Sequence, residues 1–164
     1  MADIPVFSFV AFSGTGKTTY LSGVVAGLKD AGVRVGVLKH DGHDFVLDSP
    51  VKDTGRLAQA GAVVTAVCSG SKTAWMDYRP LTPQQALAGF QNVDLVLTEG
   101  FKRGPWPKIA LYRRESGQPL CIPPEACCAI VSDVPLEAPC PVFPLQNPEP
   151  LIQWLLAQLW RYER

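Results

Sequence analysis

Ala11-Phe12-Ser13-Gly14-Thr15-Gly16-Lys17-Thr18-Thr19 follows an apolar run that begins at Ile4 and precedes a helical pattern, and it decides how the rest of the chain is read. Strand, loop and helix occur in the order that a phosphate-binding loop of the Walker A kind requires. Small residues from Ser13 to Gly16 let successive backbone N–H groups curl around an anion. Gly14 and Gly16 admit dihedrals and close approaches that a Cβ would obstruct. A triphosphate would lie along Gly14 to Thr19, with Lys17 reaching the β- and γ-phosphates and the Thr18 hydroxyl ligating Mg²⁺. The helix starting near Lys17 points its unpaired N–H groups and positive dipole end at the same charge. One position departs from G-x-x-x-x-G-K-[ST]: Ala11 stands where the pattern asks for glycine, which is acceptable if φ is negative there.

The chain has 164 residues, 47% of them hydrophobic and 18% charged, which predicts one globular domain over 1–164 with a real core. Fifteen basic and 15 acidic side chains balance, which argues against a non-specific nucleic-acid binder. The five cysteines form no C-x-x-C pair and read as reduced thiols. No apolar run approaches the ~20 residues of a membrane span, and no signal peptide is visible, so a cytoplasmic location is expected.

Outward from the loop, Ile4 to Ala11 is a buried strand. Leu21, Val24, Val25 and Leu28 fall at helical spacing up to Gly32, and Val33 to Leu38 is a second strand. Gly23 and Gly27 weaken the helix, which is explained if it packs close to the sheet. Lys39-His40-Asp41-Gly42-His43-Asp44 follows at a strand's carboxyl end, where ligands of open parallel sheets sit. Two readings stay open: a switch-like loop whose Asp and Lys side chains answer to Mg²⁺ and phosphate, or a solvated polar loop. His40 and His43 do not by themselves close a zinc site.

Asp53 to Ala60 reads as a short helix. Ala62 to Cys68 and Thr73 to Tyr78, around Ser69-Gly70-Ser71-Lys72, read as a β-hairpin. The hairpin, within 62–79, is an insertion whose Trp75, Met76 and Tyr78 fit either a dimer interface or the cover of its own core. A helix from Thr82-Pro83 through Phe90 leads to a central strand, Val93 to Gly100, that ends in Glu99. An acidic residue there normally binds Mg²⁺ directly or through water, so Glu99 is assigned to the metal and Asp94, at the other end, to a turn. Gly100-Phe101-Lys102-Arg103 places Lys102 or Arg103 where either could meet a phosphate or be solvated.

Lys108 to Tyr112 and Cys127 to Val131 are further strands. Asp133, just past the last of them, either accepts from guanine N–H groups or caps a turn. Pro135 to Pro150 reads as a surface connection, and the final helix buries Leu151, Ile152, Leu155, Leu156 and Leu159. The fold class is α/β, three-layer and phosphate-loop NTPase-like, a mostly parallel sheet flanked by helices with an inserted hairpin.

Several blocks are narrower than the loop: Leu38-Lys39-His40 with His43-Asp44, Asp48-x-Pro50-x-Lys52-Asp53, Ala60-Gly61-Ala62, Asp94 to Lys102 and Val131 to Pro135. With them the chain resembles, nearly end to end, the MobB family of molybdopterin-guanine dinucleotide biosynthesis adapter proteins. The resemblance implies a GTP-binding protein with Mg²⁺ and weak hydrolysis. It further implies a homodimer intertwined through β-structure that assists the MobA-like molybdopterin guanylyltransferase and meets the molybdenum cofactor. In that reading Ser13 to Thr19, Lys39, His40, Asp44, Asp48, Gly100, Lys102 and Asp133 face the nucleotide, Thr18 and Glu99 the metal, and Lys17 and Glu99 the chemistry. Slow hydrolysis agrees with the absence of an evident water-positioning Gln or of an arginine placed as a finger. A small metabolite kinase and a non-hydrolysing carrier of the guanine dinucleotide remain the alternatives.

Overall fold

Val6–Val10 (β1) opens a chain whose elements continue as α1 (Lys17–Asp30), β2 (Val35–Lys39), α2 (Asp53–Gln59), β3 (Val64–Cys68) and β4 (Thr73–Asp77). They end with α3 (Pro83–Leu87), β5 (Leu95–Glu99), β6 (Lys108–Tyr112), β7 (Ala129–Ser132), β8 (Val142–Pro144) and α4 (Glu149–Tyr162). The computed structural model describes residues 4–162 except 48 and 50. The chain divides into two compact units, one running up to His40 and resuming at Phe90, the other Asp41–Gly89.

In the first unit, six strands among the described residues form one sheet in the order β2-β5-β1-β6-β7-β8, every pair parallel. Alternation in β1 sorts its side chains. Phe7 and Phe9 join Leu97, Ile109, Leu111 and Val131 under α1 and α4, while Val10 packs on the opposite face with Ala110, Cys127 and Ile130. That opposite cluster is covered by segments around Leu120–Ile122 and Leu136–Cys140. Between β1 and β5 the buried Thr98 hydroxyl donates to Ser8 Oγ at 2.8 Å, so neither polar group is left unpaired.

Three sequence expectations change. The segment Pro135 to Pro150 is not only a connection, because it contributes β8, paired Ile130↔Val142 through Ser132↔Pro144 on β7. Three residues ending in proline give no periodic signal, and a proline is tolerated there because β8 is an edge. The helix expected through Phe90 ends at Leu87, after a capping box in which Thr82 Oγ1 accepts from Gln85 N–H and Gln85 Oε1 from Thr82 N–H. The close approach at the glycines of α1 is to α4 rather than to the sheet: a Cβ on Gly27 would stand 2.4 Å from Ile152 Cδ1. Leucine at position 27 would push α1 and α4 apart. We expect Gly27→Leu to lower unfolding free energy by about 1–3 kcal/mol in a denaturant titration.

Asp94, at the amino end of β5, accepts from the Arg34 backbone N–H at 2.8 Å and from its guanidinium, tying β5 to the start of β2. The hydrogen bonds from Arg34 hold the Asp94 carboxyl down at about 2. In the second unit β3 and β4 form the expected antiparallel hairpin, registered from Val64↔Asp77 to Cys68↔Thr73. Ser69 closes its turn, its hydroxyl oxygen accepting from the Lys72 N–H. Phe45, Val46, Leu47, Val51 and Trp75 are exposed, Trp75 by 70%.

Candidate functional site

The loop after β1 turns on two glycines in the left-handed region, Gly14 at φ 80° and Gly16 at φ 89°. Thr15, buried between them, donates its hydroxyl to Phe12 O at 2.9 Å and fixes the curl. Ser13 and Gly14 stay exposed at its crest. Gly16 is the N-cap of α1 and offers no side chain to the helix's first N–H groups, so those donors and the positive end of the helix are open to an anion.

Register brings the rest together. β5 lies beside β1 with Phe9↔Glu99 in line, and β2 lies beside β5 with Lys39↔Glu99 in line. Both pairings set Glu99 at the carboxyl edge of the sheet, next to the loop. Lys17 Nζ donates to Glu99 Oε1 at 2.8 Å and the Thr18 hydroxyl donates to the same oxygen at 2.7 Å. Burial pushes the Glu99 carboxyl up. The hydrogen bonds from Lys17 and Thr18 and the charges of Lys17 and Lys39 outweigh that and hold it below its ordinary value. A carboxyl with a lowered pKa in the folded state stabilises the fold above its unfolded value, about pH 4.3. That contribution is lost as pH falls through the folded value. We therefore expect ligand-free protein to lose stability on acidification below about pH 4.3, and Glu99→Gln to flatten that part of a stability profile.

Gly100 follows at φ 95°, its N–H donating to Phe9 O at 2.9 Å, and His40 N–H donates to Glu99 O at 2.8 Å. The His40 ring lies 4.9 Å from that of Phe101. The Lys102 ammonium sits 4.2 Å over the Phe12 ring, which places it at the loop. Asp133 accepts from the Arg114 backbone N–H at 2.9 Å, the turn-capping arrangement that its sequence position left open. It also lines a cavity of about 290 Å³ at the carboxyl ends of β7 and β8. Asp44 and His43 belong to the second unit, where they line a cavity of about 800 Å³ with Met76, Asp77 and Tyr78. Asp48 and Pro50 lie outside the described residues.

Sequence reading missed Arg113 and Tyr20. The Arg113 guanidinium lies against the loop, its Nη2 3.0 Å from where a Cβ on Gly16 would be. A single arginine after a strand is no motif. Its only signal was its place at the carboxyl end of β6, the strand beside β1. Tyr20, at a buried position of α1, reads from sequence as core.

Hydroxyl and carboxylate oxygens converging at Thr18 and Glu99 are hard donors, a set that fits Mg²⁺. No group of three or more His, Cys, Asp or Glu that could hold a metal occurs among the described residues. Such a site fits an ion that takes one or two protein ligands and shares the rest with phosphate. Among the described residues no helix is long and apolar enough to cross a membrane.

Comparison with known proteins gives one answer. The sequence model for molybdopterin guanine dinucleotide synthesis protein B, MobB, matches residues 6–133. The chain is 36% identical to the molybdopterin-guanine dinucleotide biosynthesis adapter protein of Escherichia coli, over 94% of this chain and 95% of that one. Among solved structures, the MobB homologue from Bacillus stearothermophilus is 31% identical at a TM-score of 0.66, covering 95% of this chain and 98% of that one. The Bacillus subtilis MobB structure is 27% identical at a TM-score of 0.75, covering 94% of this chain and 97% of that one. With a parallel sheet carrying a phosphate-type loop on β1 and an acidic residue at the end of β5, the chain belongs to the MobB family.

Proposed function

We propose that the chain binds GTP with Mg²⁺, hydrolyses it weakly, and acts as an adapter in molybdopterin-guanine dinucleotide biosynthesis. The observation that carries the reading is the convergence of Lys17, Thr18 and Glu99 at one carboxylate oxygen beside a loop of open N–H donors. Lys17 exchanges Glu99 for the β/γ-phosphate oxygens, and the loop amides from Gly14 to Thr19 cradle the chain of phosphates. Thr18 and Glu99 hold the metal, which when bound neutralises charge on the phosphates. Lys39, Lys102 and the His40–Phe101 edge surround the same end of the sheet. Asp133 keeps acceptor capacity beyond its bond to Arg114 for the N–H edge of guanine.

The exposed apolar side chains of the second unit, Trp75 and Val67 on the hairpin above all, support a homodimer through β-structure. The partner is a MobA-like molybdopterin guanylyltransferase, the cargo pathway that of the molybdenum cofactor, and the setting the cytoplasm. Titration with fluorescent GTP and ATP analogues in Mg²⁺, with phosphate release followed in the same samples, tests this. Selective GTP binding with slow release is expected. Equal or tighter ATP binding, or turnover that depends on an added acceptor, overturns it.

A further inference from the structure

A second cavity, of about 200 Å³, opens beside the loop and is lined by Gly16, Thr19, Tyr20, Arg113, Gln146 and Pro148 among others. Two of its lining residues carry buried donors with nothing to donate to. Tyr20 is 5% exposed and its hydroxyl has no hydrogen-bond partner among the described residues, nor has Arg113 Nε. Leaving such groups unmade costs about 1–3 kcal/mol each, so a fold retains them only at some loss. The Arg113 charge adds to the problem. It stands at Gly16, the positive end of α1, where helix and guanidinium repel each other unless an anion lies between them.

Neither donor reaches an acceptor among the described residues, and the chemistry of the two calls for an anionic acceptor at Arg113 and a neutral one at Tyr20. Resting on the nucleotide-binding reading above, we propose that Tyr20 and Arg113 form the subsite for the α-phosphate and ribose of the bound nucleotide. The lining supports the placement. Gly16, Thr19 and Tyr20 border this cavity together, so it adjoins the loop that takes the terminal phosphates. Gln146 lines both this cavity and the one containing Asp133, so the ribose would be left facing the end of the sheet assigned to the base. Burial raises the Tyr20 phenol, which keeps it a neutral donor throughout the physiological range. The Arg113 guanidinium donates to phosphate oxygens and the Tyr20 hydroxyl to a ribose oxygen.

The test is calorimetric binding of GTP and of inorganic pyrophosphate, both with Mg²⁺, to the full chain and to Arg113→Ala, Tyr20→Phe and Lys17→Ala. Pyrophosphate occupies the terminal-phosphate positions without a ribose. Arg113→Ala is expected to weaken GTP by about tenfold or more while leaving pyrophosphate within about twofold. Tyr20→Phe is expected to weaken GTP by about threefold without lowering the melting temperature, because it removes an unpaired hydroxyl. A merely structural tyrosine would instead lose stability and leave affinity unchanged.

Equal losses for GTP and pyrophosphate in Arg113→Ala, or no loss for either, overturn the subsite while the nucleotide reading stands. Wild-type protein that binds neither ligand defeats the nucleotide reading itself, and the subsite with it.

Discussion

Lys17→Ala is expected to weaken Mg²⁺·GTP by about 100-fold or more, read by calorimetry or fluorescence titration, because it removes the only full positive charge the loop itself carries to the phosphates. The ligand-free protein changes as well. Glu99 is 7% exposed, and Lys17 is the ammonium that holds its carboxylate, at 2.8 Å. Without that partner only the Thr18 hydrogen bond and the Lys39 charge oppose the effect of burial, so the carboxyl is held down less. The cost at neutral pH is about 1–2 kcal/mol, discounted because the Lys17 side chain remains partly open to water. The loss of stability on acidification shrinks accordingly, because a smaller lowering of the folded pKa leaves less stability to lose as pH falls through it. A denaturant series from pH 4 to 7 reads both. Unchanged GTP affinity in Lys17→Ala would sink the loop assignment.

Glu99→Gln is expected to move two measurements in opposite directions. In the free protein Lys17 and Thr18 both donate to the Glu99 carboxylate, so a nucleotide must compete for the ammonium and meets a negative charge beside it. Gln keeps the size and removes the charge. Metal-free GTP should bind several-fold tighter, by about 1 kcal/mol. On the proposed reading the carboxylate would be the anionic ligand of the metal, so the affinity gained on adding Mg²⁺ should shrink and phosphate release should fall by about 10- to 100-fold. Titration with and without chelator, together with a release assay, separates the two. Metal dependence equal to wild type would remove Glu99 from the metal site.

How much of this was legible depends on the range over which each signal acts. The loop, α1 and the strand ending in Glu99 are written locally: small residues ahead of Lys-Thr, apolar positions at helical spacing, and a buried five-residue run closed by an acid. Asp94 was placed at the far end of its strand. Its partner, Arg34, lies 60 residues away, and nothing in either neighbourhood announces the pairing. β8 was read as connection because three residues that follow one proline and end in another acquire a strand's character only from the edge of β7 they pair with.

The sequence by itself determined an α/β chain with a phosphate-type loop on its first strand and an acidic residue at the end of a central one. Local spacing and backbone chemistry suffice for those features. The tertiary structure decided that one oxygen of Glu99 collects both Lys17 and Thr18, and that Gly27 admits Ile152 of α4. It also set Arg113 over Gly16 and left Tyr20 lining a cavity with an unpaired hydroxyl. Each of these depends on side chains brought together from distant parts of the chain by sheet order, which the residues around them do not encode.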